Sequence, residues 1–134
     1  MAAAAAIQVD VEAVAKTLSS FSRSSAAGPS AVRPQHLKEA LAPGLRDEVL
    51  RHLTAVVNLL ARGEAPAEVQ AWLCGATLVA LPKKAGGLRP VAVGETLRRL
   101  AGKSLSGTAV GEARGFLEPM QVGVGTPGGA EAVV

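Results

Sequence analysis

The sequence predicts an α+β fold that is mainly helical and contains one β-hairpin. Apolar residues recur at helical spacing through most of the chain, which indicates amphipathic helices. One short apolar run, ATLVAL, is followed by KKAGG and then RPVAV, a pattern typical of two strands joined by a tight turn. With 134 residues and 2% aromatic residues, the chain can form one small core, and that core must be aliphatic.

Two longer helices are predicted before the hairpin. The first covers residues 10–21, where Asp10 is the expected N-cap and apolar side chains fall on one face. The second covers residues 45–62 and carries the clearest apolar stripe. It is followed by Gly63 at the position of a C-terminal cap.

Two short helices each follow a proline. Pro34 opens QHLKEAL and Pro66 opens AEVQAWL, where Trp72 is expected to anchor the helix to the core. Residues 22–34, which end at Pro34, are rich in serine and interrupted by glycine and proline. This segment is expected to be the most flexible loop of the chain.

The hairpin leads into a long helix. Pro90 in the second strand cannot donate to a ladder, so this strand is expected to lie at a sheet edge or to face solvent at that position. The helix is predicted from Glu95 to Leu117 and is weakened by internal glycines. The residues after this helix are typical of a loop. Residues 129–134 are typical of the first turn of a helix that is cut off.

Positive charge is concentrated in one window of the sequence. Residues 83–103 contain six basic residues against Glu95, a net charge of +5, whereas residues 1–82 are balanced and residues 104–134 carry −2. Such a patch is typical of a surface that meets the phosphate groups of nucleotides or nucleic acid. The alternative is a basic surface that is merely solvated.

The predicted hairpin tip carries three of these charges, on Lys83, Lys84 and Arg89. Lysine offers a compact point charge and arginine a planar fork that suits phosphate oxygens, so the three side chains could converge on a phosphate chain. The alternative is a charged tip that protects a sheet edge from aggregation.

Other motifs do not predict a site. Residues 123–128, GVGTPG, satisfy G-x-G-x-x-G, but Pro127 removes a backbone donor and the surrounding unit of a dinucleotide site is missing. His36 and His52 lie on different predicted helices. Cys74 is expected to be a small buried hydrophobe.

No catalytic or metal-binding residue is predicted. The two aspartates, Asp10 and Asp47, both lie early in predicted helices, whereas two-metal phosphoryl transfer needs clustered carboxylates. One cysteine excludes an internal disulfide and a cysteine-based zinc site. No signal peptide and no apolar run of about 18 residues is found, so we expect an intracellular protein without a membrane span.

Three segments in order carry a resemblance to a known family. They are GPSAVRPQHL, then GEAPAEVQAWLCGATLVALPKKAGGLRPVAVGETLRRLAGKSL, then QVGVGTPGGAEAV. Together they resemble the fingers region of a reverse transcriptase, an RNA-directed DNA polymerase, of the non-LTR retrotransposon type. In that family a GPS-type loop precedes a hairpin of the form P-K-K, small turn, R-P-[IV], followed by a T-L-x-[KR]-L helix and a Q-x-G segment.

The resemblance implies roles for the matching residues. Lys83 or Lys84, together with Arg89, match fingers residues that grip the triphosphate of the incoming nucleotide. Gln121 matches the glutamine that lies near template and nucleotide, although Val124 replaces the usual aromatic residue.

The helix after the hairpin is expected to meet nucleic acid. Arg98, Arg99 and Lys103 would lie near its backbone and contribute sequence-independent, salt-sensitive binding. The implied partners are an RNA template, a DNA primer and dNTP. The implied cofactor is Mg²⁺, expected for the full-length enzyme and not for this fragment.

The resemblance covers residues 28–134, preceded by an N-terminal helix and flexible segment at residues 1–27. The catalytic aspartates of the family lie in the palm, and none of those motifs is present. We therefore expect a truncated fingers portion of a right-hand polymerase fold, without the palm and thumb, that cannot polymerise DNA alone. The alternatives are a non-catalytic nucleic-acid-binding module and a remnant helical interaction protein.

Overall fold

Seven elements make up residues 8–117, the part of the chain that the structure, a computed structural model, describes. In chain order they are α1 (Val11–Ser19), α2 (Pro34–Glu39), α3 (Arg46–Ala61), α4 (Ala67–Cys74), β1 (Ala76–Pro82), β2 (Leu88–Gly94) and α5 (Thr96–Leu117). The two strands form one antiparallel sheet. The predicted α+β class, mainly helical with one hairpin, is confirmed.

The two predicted longer helices begin or end at the capping residues that the sequence predicts. The Asp10 carboxylate accepts a hydrogen bond of 2.7 Å from the Ala13 N–H, which satisfies one of the free donors at the start of α1. At the end of α3, Gly63 has a φ of +71° and its N–H donates to the Leu60 carbonyl. Both capping predictions are confirmed.

One exposed ion pair follows α3. The Arg62 guanidinium lies 2.7 Å from the Glu64 carboxylate, and this side-chain hydrogen bond lowers the pKa of Glu64 and raises the pKa of Arg62. Because both groups are in water, screening limits what the pair adds to stability.

The core is formed by α1, α3 and α5. Val14 and Leu18 from α1 pack with Val57 from α3 and Leu100 from α5, and each of these side chains is at most 1% exposed. Val9, Phe21 and Ala101 complete the cluster. The core is aliphatic apart from Phe21, as the composition requires.

A buried asparagine fixes the segment before α1. The Asn58 side chain accepts from the Val9 N–H at 2.7 Å and donates to the Val9 carbonyl at 2.8 Å. Both backbone groups of Val9 are thus paired without a neighbouring strand, which removes the cost of burying them.

Two sequence expectations for α4 are wrong. Trp72 is 46% exposed and does not anchor the helix, and Cys74 is exposed rather than buried. Leu73 is the more covered side chain of α4. The helix is short and its apolar residues surround it, so helical periodicity did not select the buried face.

Pro90 lies where its missing N–H costs no hydrogen bond. It stands opposite Ala80 in the ladder, and the Lys83 N–H donates to the Gly87 carbonyl at 3.0 Å. This bond makes Lys83–Gly87 a hydrogen-bonded pair. Bonded and non-bonded pairs alternate along an antiparallel ladder, so the Ala80–Pro90 pair, three pairs further along, is a non-bonded one. In the part of the chain that the structure describes, the sheet has two strands and β2 is an edge strand, as Pro90 predicts.

The turn of the hairpin depends on two glycines. The Gly86 N–H donates to the Lys83 carbonyl at 3.1 Å, and Gly86 and Gly87 have φ values of +88° and +83°. Side chains rarely adopt this backbone conformation, so KKAGG closes the turn because its last two residues are glycine.

The hairpin extends away from the helices. Every residue of β1 is exposed, whereas in β2 Val91 and Val93 are half-buried and Gly94 is buried. Two strands of seven residues make a ribbon about 20 Å long. Among the described residues, no helix is long and apolar enough to cross a membrane.

Candidate anion-binding surface

The hairpin tip holds three cations, Lys83, Lys84 and Arg89, called the tip cations here. Arg89 stands opposite Leu81 in the ladder, and Lys83 follows Leu81 by two residues, so Lys83 and Arg89 share one face of the hairpin. Lys84 lies in the turn. All three are exposed, and the turn holds them near one another at the end of the ribbon.

The tip cations have no acidic neighbour within the described residues. The ion pairs found there join Arg46 with Asp47, His52 with Glu48, and Arg62 with Glu64, all on or next to α3. Among the side chains that the structure describes, no carboxylate therefore forms an ion pair with a tip cation. Such a site attracts anions over a distance of about a Debye length.

Arg98 lies at the base of the hairpin. Its guanidinium packs so closely on Gly94 that a Cβ there would collide with it. The side chain is exposed, and it borders an apolar cleft of about 440 Å³ between the end of α3, α4 and α5. The remaining residues that line this cleft are uncharged.

Arg99 and Lys103 lie on a different side of α5, over the ring of Phe21. The Arg99 guanidinium carbon is 5.4 Å and the Lys103 ammonium 4.8 Å from the ring centroid. Arg99 also donates a hydrogen bond of 2.8 Å to the Ala26 carbonyl. Part of the charge on α5 thus serves the fold, through cation–π contacts and a loop contact.

The structure divides the predicted basic surface into separate places. The tip cations are separated from the start of α5 by the length of the hairpin, about 20 Å. Arg98 and the Arg99–Lys103 pair then face different directions around the helix. One phosphate chain cannot contact all of them.

Sequence reasoning missed the role of Glu95. Its carboxylate is 1% exposed and accepts three hydrogen bonds: from the Ser30 N–H at 3.0 Å, the Ser30 hydroxyl at 2.8 Å and the Thr96 N–H at 2.9 Å. Glu95, Ser30 and Thr96 are called the Glu95 cluster here. It joins the GPS loop to the junction of β2 and α5.

Two further contacts hold the same loop in place. The Thr96 hydroxyl donates to the Val32 carbonyl at 2.6 Å. A Cβ at Gly28 would lie 2.6 Å from the Cα of Glu95, so the loop can approach this backbone only with glycine at that position. The GPS sequence therefore has a local reason: Gly28 permits the approach and Ser30 supplies the donors.

The loop at residues 22–34, expected to be the most flexible, is hydrogen-bonded along its length. Arg33 donates to the carbonyls of Ser25 at 3.3 Å and Arg23 at 2.9 Å.

One signal in the sequence could have identified the attachment of this loop to Glu95. Glu95 is the single acidic residue of the basic window and lies between a strand and a helix.

The remaining sequence candidates do not form a site within the described residues. Gln121 and the GVGTPG motif lie outside residues 8–117. His36 and His52 are both exposed and lie on separate helices. No group of three or more histidine, cysteine, aspartate or glutamate side chains that could hold a metal ion is found among residues 8–117.

Comparison of the chain with protein-family models, curated proteins and solved structures finds no match. A function therefore has to be inferred from the side chains themselves.

Proposed function

We propose that this chain is the fingers part of a reverse transcriptase, and that its tip cations bind the triphosphate of a nucleotide. The observation that carries the proposal is the tip itself, with three exposed cations that form no ion pair with a described acidic side chain. The motif order described above supports the assignment to this family.

The chemistry of the tip suits a polyphosphate. Lys83 and Arg89 lie on one face, so an ammonium and a planar guanidinium can contact neighbouring phosphate oxygens of one chain. Lys84 in the turn adds a third charge. Because the ligand brings several negative charges, its affinity should fall steeply as salt is added.

On α5, Arg98 and Lys103 are the residues that we assign to the backbone of a nucleic-acid strand. Both are exposed. Arg99 is assigned a mixed role, because it already donates to the Ala26 carbonyl. Phosphate contacts of this kind are independent of base sequence.

We assign binding, and not phosphoryl transfer, to residues 8–117. The magnesium ions of the family need clustered carboxylates, and the described residues do not form such a cluster. The buried carboxylate of Glu95 accepts three hydrogen bonds from the protein and does not fit this role.

The test is a titration with a fluorescent deoxynucleoside triphosphate. Substituting Lys83, Lys84 and Arg89 together with alanine should weaken binding by about tenfold or more, because charge-assisted hydrogen bonds are lost. The control replaces Lys16, Arg46 and Arg51, three exposed cations far along the sequence from the tip, and should bind like the wild type. Equal affinity of the tip variant and the wild type would contradict the proposal.

A second candidate function is a nucleic-acid-binding module without nucleotide binding. The observation that favours it is the spread of cations from the tip to α5, which matches an extended strand better than one small ligand. Fluorescence anisotropy with labelled single-stranded RNA separates the two. This candidate predicts salt-dependent RNA binding that is lost on charge reversal at the tip, together with no measurable affinity for the triphosphate.

A further inference from the structure

Within residues 8–117, no strand pairs with the outer edge of β1. The sheet has two strands, so each has one edge that lacks a partner within the sheet. All seven residues of β1 are exposed, including Leu78 at 73% and Leu81 at 46%. Unpaired edges of this kind readily pair with another strand.

The phase of the ladder identifies the groups available at this edge. The bond from the Lys83 N–H to the Gly87 carbonyl makes that pair a bonded one. Alternation along the ladder then makes Val79 a bonded residue and Leu78 and Ala80 non-bonded ones. The N–H and C=O groups of Leu78 and Ala80 therefore point away from β2.

The two edges of the hairpin differ in how they are protected. On β2, Pro90 removes the donor of one outward-facing position and Arg89 adds a neighbouring charge. On β1, the run ATLVAL has no charge. Pro82 also takes an outward-facing position, but only at the end of the strand, so Ala76, Leu78 and Ala80 keep their outward N–H groups. Natural edge strands usually carry lysine, proline or a bulge that prevents pairing.

We propose that β1 pairs antiparallel with β1 of a second copy of this chain, so that two hairpins form one four-stranded sheet. The two-fold axis passes at Val79, which then faces Val79 of the second copy. Leu78 stands opposite Ala80, and Ala76 opposite Pro82. Val79 is the central residue of β1, so this register spans all seven residues of the strand. At each end the Ala76–Pro82 pair lacks one of its two hydrogen bonds, because Pro82 has no N–H.

Between two copies, charge favours the antiparallel arrangement over a parallel one. Lys83 of each chain lies opposite Gly75 of the other, which separates the two Lys83 residues by eight positions, or about 27 Å. This distance exceeds the Debye length of about 8 Å at physiological salt, so the two tips repel each other weakly. A parallel arrangement would place the same tips side by side.

The pairing does not depend on the proposed function. The tip cations lie outside the paired segment and stay exposed at opposite ends of the four-stranded sheet. Triphosphate binding and self-association can therefore succeed or fail separately.

The first test is disulfide trapping in a Cys74→Ser background. Val79→Cys should cross-link two copies on oxidation, because in this register the residue faces itself in a non-bonded pair with Cβ atoms about 4.5–5.5 Å apart, close to disulfide reach. Leu81→Cys is the matched control, on the same face and also exposed. Its two sulfurs would lie about four positions, or about 14 Å, apart along the strands.

Cross-linking of the Val79→Cys variant with little or none of Leu81→Cys supports the proposed register. No cross-linking of either variant, or equal cross-linking of both, would overturn it.

The second test is sedimentation equilibrium of the chain without added cysteines. The wild type should form a closed dimer, and Ala80→Pro should weaken it by about tenfold or more, since the outward N–H is lost and the proline ring blocks the edge. The bonds to β2 are kept, because Ala80 is in a non-bonded pair. Ala80→Ser keeps the N–H and should associate like the wild type. A monomeric wild type, or an open-ended series of larger assemblies, would refute the proposal.

Discussion

The carboxylate of Glu95 accepts hydrogen bonds from Ser30, which lies 65 residues earlier in the sequence, and from the adjacent Thr96. A buried carboxylate is costly unless its oxygens are hydrogen-bonded, and here three donors satisfy them. The Thr96 N–H would be unsatisfied without it, because Thr96 is fully buried, and the two donors of the half-buried Ser30 would lose their acceptor. The stability of the loop and the position of the β2–α5 junction therefore depend on one side chain.

Glu95→Gln should lower the free energy of unfolding by about 1–3 kcal/mol, because the amide presents a donor where the carboxylate accepted. Glu95→Ala should lower it at least as much, since all three donors lose their acceptor. Glu68→Gln, on the exposed surface of α4, is the control and should change stability by less than about 0.5 kcal/mol. Urea unfolding followed by circular dichroism measures all three. An unchanged midpoint for Glu95→Gln would show that the cluster contributes nothing.

At the scale of elements, the sequence predicted the helices and the hairpin because their signals are local. Asp10 caps α1 through its own next turn, and Gly63 and the two turn glycines take left-handed conformations where the sequence places them. The prediction that Trp72 anchors α4 was wrong. Trp72 and Leu73 are both apolar enough for a core, and only tertiary packing determines which of the two side chains is covered.

The candidate site was predictable in part. The tip cations follow from the turn, which is local. The attachment of Ser30 to Glu95 could not be derived from periodicity, because it joins two loop positions far apart in the sequence. The division of the basic window also depends on Phe21, whose ring draws Arg99 and Lys103 to one side of α5.

Glycines in two different elements should respond to alanine in opposite ways. Gly28→Ala should destabilise the protein by about 1–3 kcal/mol, because the new methyl group meets backbone atoms of Glu95 and Gly94 that cannot turn aside. Gly102→Ala should stabilise it by about 0.5–1 kcal/mol, because Gly102 lies within α5 with nothing near the new Cβ. Thermal unfolding of the two variants beside the wild type measures both effects. The same sign of change for both substitutions would contradict this assignment.

At the scale of the whole molecule, the described chain has a three-helix core and a hairpin that lies outside it. The buried apolar cluster draws on α1, α3, α5 and the segments flanking α1, and it contains no residue of β1 or β2. Stability should therefore depend on the helices, whereas binding and association should depend on the hairpin.

Leu100→Ala should cost about 2–5 kcal/mol, since the side chain is fully buried and its removal leaves a cavity in a small core. Because small domains are marginally stable, this loss is a large share of the total. Leu81→Ala, in the exposed hairpin, should change the free energy of unfolding by less than about 0.5 kcal/mol. Chemical denaturation compares the two, and similar losses would place the hairpin inside the cooperative core.

The hairpin joins α5 at the Glu95 cluster, so a rotation at this junction would displace the far end of the ribbon. For a ribbon about 20 Å long, a rotation of about 10° at the base moves the tip sideways by about 3.5 Å, more than the length of a hydrogen bond. A small change at Ser30 or Gly28 is thus magnified at Lys83 and Arg89, although neither side chain is touched. Ser30 and Gly28, which set the orientation of the hairpin, lie at its base, whereas the cations that would bind the ligand lie at its tip.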